Sequence, residues 1–175
     1  MATVALPPFQ VLIEQHGSDV LGFLLASVGP HDAEDCFQET FIAALRGYPK
    51  LRHSGNLRGW LLTIAHRKAM DHHRSRSRRP APAGTAAEVD ESPARVDGAA
   101  DAAPTPEALT VRAEGAGELW RAVSTLPPKQ RSAVVLRFAT GMSHREIGST
   151  LDVSEDAARQ NVHEGIKRLR EEFAS

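Results

Sequence analysis

The stretch from residue 80 to residue 106 carries almost no large apolar side chain, and it cuts the chain in two. Pro80-Ala81-Pro82-Ala83-Gly84-Thr85 opens it, and alanine, acid, glycine and proline follow. Such a segment cannot bury enough surface to offset chain entropy, so it is expected to be disordered in isolation. In a chain of 175 residues the flanks are short, and each must build its own small core. Aromatic residues make up only 5% and β-branched residues are scattered, which argues against a sandwich or barrel. The expected fold class is all-α. Two small helical domains, residues 1–79 and 107–175, are joined by a flexible acidic Pro/Ala linker over 80–106.

Apolar spacing supports this reading. Phe9, Leu12, Ile13, Val20, Leu21, Leu24 and Leu25 predict a helix over 6–27, ended by Gly29-Pro30. Asp32 is the expected N-cap of a second helix carrying Cys36, Phe37, Thr40, Phe41, Ala44 and Leu45, which stops near Gly47 and Pro49. After a loop over 50–56, a third helix begins near Leu57 and runs through Trp60, Leu61, Ile64, Ala65 and Ala69 into an arginine cluster. Beyond the linker, Thr105-Pro106-Glu107 is a helix start leading through Leu119, Trp120, Val123 and Leu126. Pro127-Pro128 opens another helix, through Phe138, ended by Gly141.

Residues 143–170 have the layout of a helix-turn-helix. Ser143 and Glu146 form a capping-box pattern, Asp152-Val153 makes a tight turn, and Ser154 caps a longer helix with Glu155 and Asp156 in its first turn. Ala158, Val162, Ile166, Leu169 and Phe173 mark its apolar face. Glu155, Arg159, Gln160, His163 and Lys167 then point outward, where such residues can read base edges or pair with phosphates. A helical hairpin with a solvated charged face has the same spacing, and Glu155, Asp156 and Glu164 set negative charge beside the presumed DNA face.

Net charge is −1, but its distribution is segmented. Arg67, Lys68, His72, Arg74 and Arg76 crowd the end of the third helix, an electrostatic footprint suited to phosphate or to plain solvation. The linker is acidic, and Lys167, Arg168 and Arg170 turn the C-terminus basic again. Trp60 suits core packing, or stacking on a base. His66, His72 and His73 lack a carboxylate or cysteine partner at firm metal-site spacing, and no metal or other cofactor is expected. Cys36 is the sole cysteine, which excludes an internal disulfide and suits a packed thiol. No nucleophile–base pair or phosphate-cradling glycine loop appears, so the expected work is binding and not catalysis. No apolar run reaches the roughly 18–20 residues of a membrane span, and no signal-peptide pattern opens the chain. The protein is expected in the cytoplasm, without membrane insertion.

Two motif sets resemble one family. The string from Asp32 through Phe41 (DAEDCFQETF), with Trp60 through Arg67 (WLLTIAHR) and Asp71 before an arginine-rich end, is similar to region two of bacterial sigma factors. Leu126 through Arg131 (LPPKQR), Gly141-Met142-Ser143 and Glu146-Ile147-Gly148 resemble region four. The absence of a domain between them is similar to the extracytoplasmic-function (ECF) group. That resemblance implies a factor that binds core RNA polymerase and directs promoter recognition and melting, under control of an anti-sigma factor or other signal. It implies that Asp35, Gln38 and Glu39 dock the beta-prime clamp helices, with further contact to the beta subunit. Arg52, Ser54, Asn56, Arg58, Trp60, Arg67, Lys68 and His72 would hold a flipped base and the melted strand of the minus-10 element. Ser154, Glu155, Arg159, Gln160, His163 and Lys167 would read the minus-35 element. Asp152 stands where the family often has glycine, a position that can require left-handed backbone.

Overall fold

The computed structural model describes residues 6–52, 55–78 and 118–174, all of whose regular structure is helical. Helices α1 (Phe9–Val28), α2 (Pro30–Gly47) and α3 (Leu57–Arg78) pack on one another pairwise, with a 3-10 turn at Tyr48–Lys50 after α2. After the helical residues 118–125 (α4), helices α5 (Pro128–Phe138), α6 (His144–Leu151) and α7 (Glu155–Phe173) form a second group. The expected linker and the helix start at Thr105-Pro106-Glu107 lie outside the described residues.

The first helix starts later than its apolar pattern suggests. Leu6 and Pro7 each precede a proline, which disfavours the helical region for both, and Pro8 holds extended backbone (φ −53°, ψ 140°) as the N-cap, so α1 opens at Phe9. Gly29 then ends α1 and starts α2 with a single residue at φ 86°. Pro30 follows at the first helical position, where its missing N–H costs nothing. Asp32 is therefore not the N-cap expected from sequence. It sits inside the first turn of α2, and its carboxylate lies 3.1 Å from both His72 Nε2 and Arg76 Nη1 of α3.

The core of the first group is wide and aliphatic. Leu12, Val20, Phe23 and Leu24 of α1 meet Ala33, Phe41 and Ala44 of α2 and Leu61, Leu62, Ala65 and Ala69 of α3. Full burial of a side chain such as Phe23 contributes about 1.5–3 kcal/mol. An aromatic cluster closes one end. Phe9 meets Tyr48 edge-on at 5.3 Å, Phe37 lies 4.7 Å from Phe41, and Tyr48 lies 6.2 Å from Trp60. The Tyr48 hydroxyl donates to the Pro7 carbonyl at 2.6 Å, which ties the N-terminal strand of backbone to the 3-10 turn. Cys36 is buried, and burial together with the carboxylates of Glu39, Asp32 and Asp35 pushes its thiol pKa up, as for an inert packed thiol.

The second group is smaller and relies on close backbone approach. A Cβ at Gly148 would stand 2.9 Å from the Val153 carbonyl oxygen, and one at Gly165 would stand 2.6 Å from Val134 Cγ2. These two glycines let α6 meet the turn and α7 meet α5. Six apolar side chains placed on predicted helices are exposed instead: Leu45 (55%), Phe138 (66%), Phe173 (56%), Leu119 (47%), Trp120 (40%) and, to a lesser degree, Leu21 (37%). Phe138 is the last residue of α5, which stops ahead of Gly141. That glycine, at φ 69°, turns the connection into α6.

Candidate polymerase and nucleic-acid interfaces

The helix-turn-helix is held by its caps. Ser143 Oγ accepts from the Glu146 N–H at 3.3 Å, and the Glu146 carboxylate accepts from the Ser143 N–H at 2.8 Å, closing the capping box. These bonds to the charged form hold the Glu146 carboxyl below its ordinary range. Asp152 ends α6 in the left-handed region (φ 55°, ψ 49°), as the departure from glycine had suggested. Its N–H donates to a Gly148 carbonyl, and the Val153 N–H to the same carbonyl at 2.9 Å. Ser154 caps α7 by accepting from the Ala157 N–H at 3.1 Å. Ile147, Ala158 and Val162 are buried and fix the crossing of the two helices.

This geometry leaves Ser154, Glu155, Arg159, Gln160, His163 and Lys167 exposed together on α7. Arg159 pairs with Glu155 (3.3 Å) and Asp156 (3.2 Å). Exposed pairs of this kind contribute at most about 1 kcal/mol, so a phosphate or guanine can displace them. Lys167 and His163 share a shallow, mainly apolar-lined depression with Ile166 and Arg170.

On α2, Asp35, Gln38 and Glu39 are exposed and consecutive around one face. Spacing missed two neighbours: Ile42 (51% exposed) and Leu45 continue that face at i+3 and i+4 steps from Glu39, Gln38 and Phe41. Large aliphatics bare beside carboxylates suit a protein partner more than solvent. The available signal was the excess of apolar residues over what one buried stripe of α2 can use.

The residues assigned to the melted strand are scattered in role. Arg52 is exposed, and Ser54 lies outside the described residues. Asn56 Oδ1 accepts from the Gly59 N–H at 2.8 Å, so its side chain caps α3. Arg58 is ion-paired with Asp19 at 2.7 Å and donates through Nη2 to the Thr140 carbonyl of the second group. Trp60 is half-buried against Tyr48. Arg67 is exposed, Lys68 reaches Glu39 at 3.3 Å, and His72 faces Asp32. Lys68 and Glu39, assigned to different partners, are thus neighbours.

His66 is buried beside Phe23. Burial first, then Arg67 and Lys129, lowers its pKa to about 4, so the ring is neutral near pH 7. The His73 pKa is also lowered, mainly by burial and by Arg131. Among the described residues, no group of three or more His, Cys, Asp or Glu side chains is placed to hold a metal ion. Among them too, no helix is long and apolar enough to cross a membrane.

Comparison with known proteins gives two domain matches. Residues 12–79 match the family model of sigma-70 region 2, and residues 116–169 match that of sigma-70 region 4. The chain is 34% identical to RNA polymerase sigma factor CarQ of Myxococcus xanthus over 93% of its length and 87% of that protein's. It is 30% identical to the ECF RNA polymerase sigma factor SigX of Bacillus subtilis, covering 93% of this chain and 81% of that one. With the ECF sigma factor SigE of Mycolicibacterium smegmatis the identity is 33% over 97% of the chain, which spans 63% of that longer protein. In fold it is similar to the sigma factor RpoE solved with the anti-sigma factor NepR from Bartonella quintana, with a TM-score of 0.69, 22% identity, and 93% and 94% of the two chains covered.

Proposed function

Because the chain belongs to the extracytoplasmic-function group of the sigma-70 family, we propose that it binds core RNA polymerase and directs promoter recognition and DNA melting for transcription initiation. The observation that carries the proposal is the presence, in order, of both family domains on one chain, the second with a capped helix-turn-helix whose reading helix is bare. The domain limits proposed are 1–79 and 107–175, joined through 80–106. The factor works by binding in the cytoplasm, with no chemistry of its own.

In this reading Asp35, Gln38 and Glu39 dock the clamp helices of the polymerase, and Ile42 and Leu45 add apolar anchors to the same face. Their joint exposure supports the assignment. Arg52, Ser54 and Asn56 serve the flipped base of the minus-10 element, and Arg58, Trp60, Arg67, Lys68 and His72 the melted strand. Ser154, Glu155, Arg159, Gln160, His163 and Lys167 read the minus-35 duplex. Acids stand among the cations of each domain and neither presents a large basic surface, so free DNA is held weakly. Polymerase fixes both at the promoter spacing, and the second contact becomes intramolecular. An anti-sigma factor that covers the polymerase face is the proposed means of control, a reading suggested by the structural relative solved with such a partner.

Run-off transcription with purified core polymerase on a genomic promoter pool tests the reading. Discrete start sites that depend on the factor are expected. No factor-dependent start, with any inhibitory partner removed, ends it. Gln38→Ala with Glu39→Ala should lower core affinity about tenfold or more with helix content unchanged by circular dichroism.

A further inference from the structure

Among the cations of α3 assigned to the melted strand, Arg58 stands in the place least suited to a positive charge. It is the second residue of α3, whose first turn carries no acid. The free N–H groups of a helix start already make that end positive, so a cation there is disfavoured by its own helix. The offset comes from another element. Asp19 of α1, 39 positions earlier, places Oδ2 at 2.7 Å from Arg58 Nε. This is the shortest ion pair among the described residues. Its side chains are 36% and 32% exposed, whereas every member of the Arg159 pairs on α7 is at least 50% exposed, so the Asp19 pair is the better shielded from solvent.

Both ends of the pair spring from fixed backbone. Val20, next to Asp19, is fully buried, and the Asn56 side chain caps the turn that carries Arg58. The pairing also decides what is left of the guanidinium. Asp19 takes the N–H on Nε, which leaves the terminal edge of Nη1 and Nη2 for another acceptor. Nη2 donates to the Thr140 carbonyl, so that edge already serves an oxygen from outside the first domain. Two parallel N–H bonds from such an edge match the oxygens of a phosphodiester, a stronger acceptor than an amide carbonyl. A free arginine side chain loses its rotamer freedom when it binds, whereas one held at Nε has lost much of it in the folded chain. Charge alone assigns Asp19 the opposite role: a carboxylate beside a strand-holding cation repels phosphate, and its removal leaves the face more positive.

Resting on the assignment of Arg58 to the melted strand, we infer that Asp19 is a positioning residue for promoter opening. It touches no DNA, and it holds the Arg58 guanidinium by Nε so that Nη1 and Nη2 meet a phosphate of that strand.

The test uses the full chain with core polymerase on a promoter found in the run-off experiment, supplied as a template already melted over the minus-10 element. Arg58→Ala and Asp19→Asn are each expected to weaken retention of that template about threefold or more, although the second change makes the chain more positive. Adding Asp19→Asn to Arg58→Ala is expected to change retention by less than about twofold, because the two residues act through one contact. Each single variant should flatten the slope of log affinity against log salt by about 0.7, the share of one phosphate contact on a single strand. Core-polymerase affinity and circular dichroism of Asp19→Asn should match those of the parent chain. Retention by Asp19→Asn that is unchanged or tighter, a salt slope no flatter than the parent's, a full further loss on top of Arg58→Ala, or a loss accounted for by weaker core binding overturns the positioning role. Equal retention by the parent chain and Arg58→Ala overturns the placing of Arg58 on the strand, and the role of Asp19 with it. A parent chain that directs no initiation at all overturns the sigma-factor reading itself, a separate result.

Discussion

The first domain and the second solve the problem of being small in different ways. The first buries large side chains across three long helices, Phe23, Leu12, Leu24, Leu61 and Leu62 among them, and tolerates a neutral histidine at the edge of that core. The second sets the short helices α5 and α6 against the longer α7, and it depends on side-chain caps and on backbones brought close at Gly148 and Gly165. The difference extends to their charged faces. Cations of α3 are engaged by Asp19, Asp32, Glu39 and the other domain, whereas Arg159 of α7 pairs with Glu155 and Asp156 in that helix's own first turn. A domain held by area can carry a crowded, partnered surface. A domain held by caps presents its reading helix already formed and bare.

Substitutions can break this contrast. The largest effect is expected from Phe23→Ala, which should cost about 3–5 kcal/mol through lost burial and the cavity left behind. Chemical denaturation should show the first domain unfolding while the helix-turn-helix persists. Loss of both together would mean that the two cores are one cooperative unit.

Next comes pH. His66 has a folded pKa of about 4 against an ordinary 6.5, so the unfolded chain takes up the proton first. Its contribution is present above about pH 6.5 and is lost as pH falls toward 4, amounting to about 2 kcal/mol between pH 7 and pH 5. Urea unfolding at the two pH values, compared with His66→Gln, isolates this share. An equal pH dependence in both proteins would show that the ring is not buried neutral.

Gly148→Ala should follow, at about 1–3 kcal/mol, because the new methyl meets the Val153 carbonyl and the backbone of Ser154, which cannot swing aside. The cost should fall on the second domain, read from amide exchange in α6 and α7. The smallest effect belongs to Arg159→Ala. Its pairs with Glu155 and Asp156 are exposed, so thermal stability should change by less than about 0.5 kcal/mol while use of the upstream promoter element falls. A large loss of stability would make Arg159 a structural residue.

Much of the second domain was legible because its determinants are local. Ser143 with Glu146, Ser154 before two acids, and Asp152 at a turn that wants left-handed backbone are patterns spanning a few residues, and all three occur in the structure. The first domain was read with less detail where partners come from afar. Asp32 looked like a cap because the residue type is right, but Pro30 starts the helix sooner, and the carboxylate serves His72 and Arg76 some forty residues away. Leu45, Phe138 and Phe173 fit an apolar periodicity, yet periodicity cannot tell whether a neighbouring helix is there to cover them.

Helical class, the split into two halves and the helix-turn-helix were determined by the sequence alone, since helix periodicity, caps and turns are interactions between residues close along the chain. Which side of α3 is covered, the convergence of Arg131 and His73 on the Ser27 carbonyl, and the reach of Arg58 across to Thr140 were decided only in three dimensions. Those contacts join residues 46 to 104 positions apart, and a backbone carbonyl that accepts them leaves no mark in the identity of its side chain.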